Sequence, residues 1–126
     1  MITGLGIDIV KMQRIRNVYE RFGDKFARRV LAAGELTRFA ESRTPVSFLA
    51  MRFAAKEAAS KALGTGFRDG VSPRLIEVEH DALGKPSLRF HGQVAVLAAA
   101  ARVTASHVSL TDEADYAAAV VVLEHY

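Results

Sequence analysis

The residues best suited to chemistry lie in one stretch of the chain, residues 52–66, which reads RFAAKEAASKALGTG. One carboxylate, three cations and a hydroxyl occur together there: Arg52, Lys56, Glu57, Ser60 and Lys61. Mg²⁺ sites often use only one or two carboxylates and complete their coordination with water and substrate phosphates. Lysines beside such a carboxylate can contact the same phosphates. The stretch is therefore compatible with a metal-assisted reaction on a phosphorylated substrate.

A purely structural interpretation of the same residues also stays open. Glu57 precedes Lys61 by four positions, which is the spacing of an exposed ion pair that stabilises a helix by about 0.3 kcal/mol. The turn Gly64-Thr65-Gly66 is a weak phosphate signal, because ordinary turns use the same residue types. The stretch alone does not separate a solvated helix face from a functional site.

The stretch is predicted to lie on a long helix that Thr44-Pro45 opens and Gly64 ends. At about 100° per residue, the small residues share one face: Met51, Ala54, Ala55, Ala58, Ala59 and Ala62. Such a face allows the helix to pack closely against a partner. The charged and hydroxyl side chains named above are predicted to spread over the opposite half.

A second carboxylate stands near the start of the chain, at Asp8. Residues 3–10 alternate, with Leu5, Ile7 and Ile9 on one side and Asp8 on the other, which predicts a strand. Asp is depleted in strands, so its presence has two interpretations. Asp8 could cap the following helix, or a rigid backbone could present it as a functional carboxylate.

The remaining segments predict a mixture of helices and strands. Residues 11–41 have helical spacing with breaks at Gly23 and Gly34, and residues 93–102 form an Ala-rich helix. Four further strands are predicted: 75–80 and 87–90 as a hairpin, then 104–111 and 116–124. The last strand is apolar on both faces over residues 118–123, which is typical of a central strand or a subunit interface.

Composition limits the classes of protein that this chain can represent. At 126 residues with half of them hydrophobic, it is predicted to be one globular domain, 1–126. It has no Cys, which excludes disulfides and thiolate chemistry and makes a reducing cytoplasm the expected location. No apolar run is long enough to span a membrane, so no membrane partner is predicted.

The positive charge of the chain is concentrated near its start. The whole chain has a formal net charge of +3, whereas residues 11–30 contain seven Lys and Arg against two Asp and Glu. A local basic surface implies an acidic partner, which could be a nucleic acid, an acidic protein or a phosphorylated ligand. Charge alone does not choose among these three.

Several motifs, taken in order, resemble a known family. They are residues 6–10 (GIDIV), 52–58 (RFAAKEA) with Lys61, 64–66 (GTG), 84–86 (GKP), 107–111 (HVSLT) and 116–119 (YAAA). Together they resemble the holo-[acyl-carrier-protein] synthases, the small single-module branch of the 4′-phosphopantetheinyl transferases. The block around Glu57 is the most specific of them. Asp112 departs from the pattern, since many relatives have His there, and we assign it no role.

The resemblance implies a fold and a reaction. The implied fold is α+β, with an antiparallel sheet packed against helices, assembled as a homotrimer with active sites between neighbouring subunits. The implied reaction moves 4′-phosphopantetheine from coenzyme A to a serine of apo-acyl carrier protein, releasing adenosine 3′,5′-bisphosphate, in support of fatty acid biosynthesis. Mg²⁺ is the implied cofactor.

The resemblance also implies roles for individual residues. Asp8 and Glu57 match the metal-binding carboxylates, and Lys61 matches a lysine that faces the phosphates, so these three are the predicted catalytic residues. The predicted coenzyme A contacts are Arg52, Lys56, Ser60, Lys61, Gly64, Gly66 and His107, the last from another subunit. The base for the serine stays open between Glu57 and a metal-bound water.

The same resemblance gives the basic stretch a partner, because acyl carrier proteins are acidic. The predicted docking residues are Arg14, Arg21, Lys25 and Arg28. The main alternative from another class is a non-catalytic basic module that binds nucleic acid. The stretch lacks a recognisable DNA-binding motif or RNA-binding aromatic signature, so nucleic acid is not the expected partner. An oligomeric binding protein that has lost catalysis is the third possibility.

Overall fold

Five strands and five α-helices make up the computed structural model, which describes residues 1–126. The strands are β1 (Ile2–Lys11), β2 (Ile76–His80), β3 (Pro86–Phe90), β4 (Ala105–Asp112) and β5 (Tyr116–Glu124). The helices are α1 (Met12–Phe22), α2 (Asp24–Val30), α3 (Ala33–Ala40), α4 (Pro45–Leu63) and α5 (Gly92–Ala100), and a 3₁₀ turn covers Pro73–Leu75. None of these helices has the length and hydropathy that crossing a membrane requires.

The strands form two antiparallel sheets, a three-stranded sheet in the order β1–β5–β4 and the β2–β3 hairpin. In the larger sheet Asp8 pairs with Ala119, which also pairs with Leu110 of β4. Because successive side chains of a strand point to opposite faces, Asp8 and Gly6 lie on the same face. That face packs against α4, so the predicted α+β class is confirmed. Asp8 does not cap α1, whose N-cap is Lys11.

Helix α4 packs so closely on β1 that the two backbones are nearly in contact. A Cβ atom placed on Gly6 would lie 1.9 Å from the carbonyl oxygen of Ala58, and one on Gly4 would lie 2.1 Å from that of Ala62. Both distances are far inside van der Waals contact, so only glycine fits at these two strand positions. The small-residue face of α4 is buried as predicted, with Ala54, Ala55, Ala58 and Ala59 fully inaccessible to solvent.

The other face of the large sheet is uncovered in the single chain, and we call it the open sheet face. On β1 and β5 it is apolar and consists of Leu5, Ile7, Ile9, Ala118, Val120 and Val122. On β4 it carries the polar residues His107, Ser109 and Thr111. Leu5, Ile7 and Ile9 are 66%, 68% and 65% exposed. The prediction that β5 is apolar on both faces is correct, but only its alternate residues, including Val121 and Leu123, are buried within the chain.

One predicted helix break is misplaced. The break at Gly23 is confirmed, whereas Gly34 lies inside α3 and the chain instead leaves the helix at Leu31 and Ala32. Glycine at position 34 leaves room for the end of the Glu77 side chain, since a Cβ there would lie 2.6 Å from Oε2 of Glu77 and that flexible side chain would have to shift. The carboxylate of Glu35 accepts the backbone N–H of Ala32 at 2.9 Å, which helps to start α3 after this break.

Candidate functional site

Asp8 and Lys61 meet where the edge strand β1 crosses α4. The amine of Lys61 donates to Oδ1 of Asp8 at 3.1 Å and to the carbonyl oxygen of Ile7 at 3.0 Å. The Lys61 side chain remains half exposed, whereas that of Asp8 is largely covered. The ion pair that Lys61 makes is therefore with Asp8, and the expected i,i+4 pair with Glu57 is not formed.

Glu57 lies beside this pair on the same helix. Partial burial raises the pKa of Glu57 above its ordinary value, and the negative charge of Asp8 raises it further. The positive charges of Lys61 and of Arg14 on α1 oppose that rise. The two carboxylates thus interact electrostatically, although they are 49 positions apart in the sequence. The structure brings together the three residues predicted to be catalytic.

The chemistry of this donor set fits Mg²⁺. No cluster of three or more His, Cys, Asp or Glu side chains suited to a metal ion is present. The candidate site instead offers two carboxylates, Asp8 and Glu57, and the pKa of Glu57 is raised by partial burial and, to a smaller degree, by the charge of Asp8. Magnesium is commonly bound through one or two carboxylates with the remaining positions left to water and substrate phosphates. These two residues are therefore sufficient as a candidate site.

The Gly64-Thr65-Gly66 turn ends α4 and uses its own backbone donors to do so. Gly64 adopts a left-handed φ of 80°, which favours glycine. The N–H of Gly64 donates to the carbonyl oxygen of Lys61, and the N–H groups of Thr65 and Gly66 donate to the carbonyl oxygen of Ser60. These N–H groups are therefore already used within the chain. Contacts of coenzyme A with Gly64 and Gly66 remain predictions, and they would involve groups other than these donors.

Three residues predicted to contact coenzyme A are instead buried. Arg52 is 6% exposed, and Lys56 and Ser60 are fully inaccessible. The hydroxyl of Ser60 donates to the carbonyl oxygen of Glu57 at 2.7 Å, one turn earlier on the same helix. The guanidinium of Arg52 lies 3.6 Å from the centre of the Phe48 ring. In the single chain these three side chains are directed into the protein, so their burial gives no support to contacts with coenzyme A, which stay predictions.

The charges of the buried Lys56 and Arg52 face Glu35, a residue for which the sequence pattern predicts no role. Its carboxylate binds the amine of Lys56 and lies 3.3 Å from Nε of Arg52, without the geometry of a hydrogen bond in the latter case. It also accepts the backbone N–H of Val78 at 3.3 Å. A Glu three residues after a helix start can be recognised in a sequence as part of a helix cap. The sequence gives no comparable signal for the pairing of Glu35 with Lys56 and Arg52.

His107 lies apart from the Asp8 site within one chain. It projects from β4 on the open sheet face, in register with Val122 and Leu5, and its Nε2 bonds to the carboxylate of Glu124. Asp8 faces the opposite side of the sheet. A contribution of His107 to the same site therefore requires a second subunit, as the resemblance implies, and this stays a prediction.

The predicted docking residues lie on the two helices that follow β1. Arg14 and Arg21 are on α1, Lys25 and Arg28 are on α2, and all four are exposed. Among these four residues, Arg14 is the one whose charge influences the candidate site, because it lowers the pKa of Glu57 against the effects of burial and of Asp8. Arg21 stacks over the ring of Phe22 at 5.2 Å. Of the basic surface, Arg14 therefore lies within electrostatic reach of the carboxylate of Glu57.

Comparison with known proteins places the chain in a family. Residues 4–121 match the model of the 4′-phosphopantetheinyl transferase superfamily. A holo-[acyl-carrier-protein] synthase of Halorhodospira halophila is 55% identical over 123 residues, which is 98% of each chain. The chain belongs to this superfamily. Within it, the resemblance to the holo-[acyl-carrier-protein] synthases extends over nearly the full length.

Solved structures of the family agree with the fold described above. The crystal structure of holo-[acyl-carrier-protein] synthase from Neisseria meningitidis has a TM-score of 0.93 and 44% identity, covering 98% of this chain and 99% of its own. The Bacillus anthracis enzyme in complex with CoA (3′,5′-ADP) has a TM-score of 0.84 and 38% identity, covering 100% and 99%. The fold is therefore that of a family in which a coenzyme A complex is known.

Proposed function

We propose that this protein transfers the 4′-phosphopantetheine group of coenzyme A to a serine of apo-acyl carrier protein, in support of fatty acid biosynthesis. The observation that supports this most directly is the meeting of Asp8 with Glu57 and Lys61 in a full-length member of the family. Membership in an enzyme family also decides against a non-catalytic nucleic-acid-binding module. A single domain over residues 1–126 and a cytoplasmic location stay predictions.

The candidate site suits the chemistry of this transfer. Asp8 and Glu57 would hold Mg²⁺, which supplies neutralisation of the charge that builds on the phosphates. Lys61 can orient a phosphate oxygen from its exposed position. The serine oxygen attacks phosphorus, the bond from that phosphorus to adenosine 3′,5′-bisphosphate breaks, and the serine proton needs an acceptor. A carboxylate with a raised pKa is a better base near neutral pH, which favours Glu57.

The proposed reaction is tested directly by mass spectrometry. Apo-acyl carrier protein is incubated with the protein, coenzyme A and Mg²⁺, and the carrier is weighed before and after. A gain of one phosphopantetheine on the carrier is expected, with release of adenosine 3′,5′-bisphosphate. Omitting coenzyme A is the control. A carrier whose mass stays unchanged over prolonged incubation refutes the proposed function.

Docking of the carrier is predicted to depend on the basic surface of α1 and α2. Reversing Arg14 or Arg21 to Glu should raise KM for the carrier and leave KM for coenzyme A nearly unchanged, because rim charges act mainly on association. Carrier binding should also weaken with salt, since the screening length falls from about 10 Å at 0.1 M to about 3 Å at 1 M. Lys85→Glu, in the exposed β2–β3 turn, is the matched control. A change in KM for coenzyme A alone contradicts this assignment.

The open sheet face is proposed to be the subunit interface of a homotrimer. Its contiguous apolar side chains are exposed in one chain, and such patches commonly mark protein contacts. Ile7→Lys should therefore give a folded monomer by light scattering at micromolar concentration, because Ile7 makes no part of the buried core. Val96→Lys, at an exposed position on α5, should leave assembly intact. A wild-type monomer with full activity contradicts an intersubunit site.

A further inference from the structure

A fully buried ion pair connects the second docking helix, α2, to the helix of the candidate site. The amine of Lys56 donates to three acceptors: the carbonyl oxygen of Val30 at 2.7 Å, the carboxylate of Glu35, and the carbonyl oxygen of Pro73 at 3.0 Å. An ammonium group has three donors, so all of them are used. The three acceptors belong to the last residue of α2, the first turn of α3 and the start of the 3₁₀ turn.

Stability alone is a weak reason for this arrangement. Replacing a buried ion pair by well-packed apolar residues is often neutral or stabilising, because the desolvation cost can exceed the Coulombic gain. Burial does lower the pKa of Lys56, and the Glu35 charge works against that effect. The pair helps instead to define how the elements are arranged. Hydrogen bonds from Lys56 to two backbone carbonyl oxygens hold α2 and the 3₁₀ turn in place relative to α4.

The positions that the pair connects have separate roles in the proposed reaction. Helix α2 includes Lys25 and Arg28, which are proposed to dock the carrier, and it ends at Val30. Lys56 immediately precedes Glu57 on α4. Lys56 therefore links the end of the docking surface to the helix that carries Glu57, and a displacement of α2 would move a docked carrier relative to the candidate site.

We infer that Lys56 is a positioning residue that fixes α2 against α4, so that a docked carrier presents its serine to the Asp8–Glu57 site. This inference rests on the proposed function. Lys56 itself touches neither substrate, because it is inaccessible to solvent. Its loss should consequently affect the carrier and not coenzyme A.

The test is the single substitution Lys56→Met. Glu35 keeps its carboxylate, which still accepts the N–H groups of Ala32 and Val78 and still lies beside the buried cation of Arg52, so its charge is not left without a partner. The bonds from position 56 to Val30 and Pro73 are lost. The kcat/KM for the carrier should fall at least about tenfold, since misplacing reacting groups by ~1 Å can cost about 100-fold. KM for coenzyme A should stay within about twofold. Hydrogen exchange should speed up at the amides of α2.

The matched control removes an exposed cation, Arg89→Met, whose ion pair with Glu79 joins only β2 and β3. It should leave the kinetics with both substrates unaffected. A folded Lys56→Met protein with wild-type kcat/KM for the carrier, or with KM raised equally for both substrates, overturns the inference. If Lys56→Met does not fold, Lys56→Arg is judged by the same kinetic criteria, because it keeps a cation beside Glu35. Wild-type protein that transfers nothing would instead refute the proposed function.

Discussion

Replacing Glu57 by Gln should lower kcat about a thousandfold, which corresponds to about 4 kcal/mol of lost transition-state stabilisation. The substitution keeps the shape of the side chain but removes the charge that would hold Mg²⁺ and the group favoured as the base. Asp8→Asn should have a comparable effect on turnover, because it removes the second carboxylate. Single-turnover transfer at saturating coenzyme A and Mg²⁺ measures both. Near-normal turnover in either variant would sink the assignment of the metal site.

The same substitution should not weaken the fold, and this separates catalysis from stability. A carboxyl whose pKa is raised on folding favours the folded state at low pH, and that contribution is lost as pH rises through the raised pKa. At neutral pH the ionised Glu57 therefore destabilises the folded protein, and Gln removes this effect. Glu57→Gln should unfold at the same or a higher temperature than wild type at pH 7, and this difference should shrink toward pH 4. A clear drop in Tm at pH 7 contradicts the proposed electrostatics.

Gly6→Ala should destabilise the protein by about 3 kcal/mol or more, at the upper end of what overpacking usually costs. The new Cβ would lie 1.9 Å from the carbonyl oxygen of Ala58, and a backbone oxygen cannot move aside as a flexible side chain can. Strand and helix must separate, which should also draw Asp8 away from Glu57 and lower turnover. Urea unfolding monitored by circular dichroism, with activity at low denaturant, measures both effects.

Thr3→Ala is the matched control for this substitution, because Thr3 lies on the same strand, is exposed, and makes one long side-chain hydrogen bond, to the carbonyl oxygen of Leu123 at 3.3 Å. Its free energy of unfolding should change by less than about 1 kcal/mol. Pairing Gly6→Ala with Ala58→Gly should give no rescue, since the clash involves backbone and not the Ala58 methyl group. A Gly6→Ala protein whose stability stays close to that of wild type would show that β1 and α4 are not held at the described distance.

Much of the fold could be predicted from local patterns, because each depends on residues close in sequence. The alternation around Asp8 identified β1, the small residues identified the face of α4 that is buried, and residues 116–124 matched β5. The grouping of Asp8 with Glu57 and Lys61 came from family motifs and not from periodicity. The contact of Asp8 with residues about 50 positions away produces no recognisable pattern in either segment of the sequence alone.

The errors arose where distant segments decide the environment of a residue. Helical periodicity put Lys56 and Arg52 on a polar half that should face solvent, yet contacts with α2 and α3 bury these two residues of it. Only the fold reveals that Glu35 meets Lys56. Gly34 was taken as a helix break because glycine usually disfavours helices, whereas here it makes room for Glu77. In each case packing against another element outweighed the local preference.

The Lys61–Asp8 pair has a consequence for the order in which ligands gather. Asp8 and Glu57 face Lys61 and Arg14, so these two negative and two positive charges balance before any ligand arrives. A cation entering alone must displace or oppose Lys61, and an anion entering alone meets two carboxylates. When both enter together, Lys61 can move from Asp8 to the anion, the cation takes its place beside Asp8, and the charges of the site stay balanced. Divalent cation and anionic donor should therefore bind with positive cooperativity, each increasing the affinity of the other by the same factor.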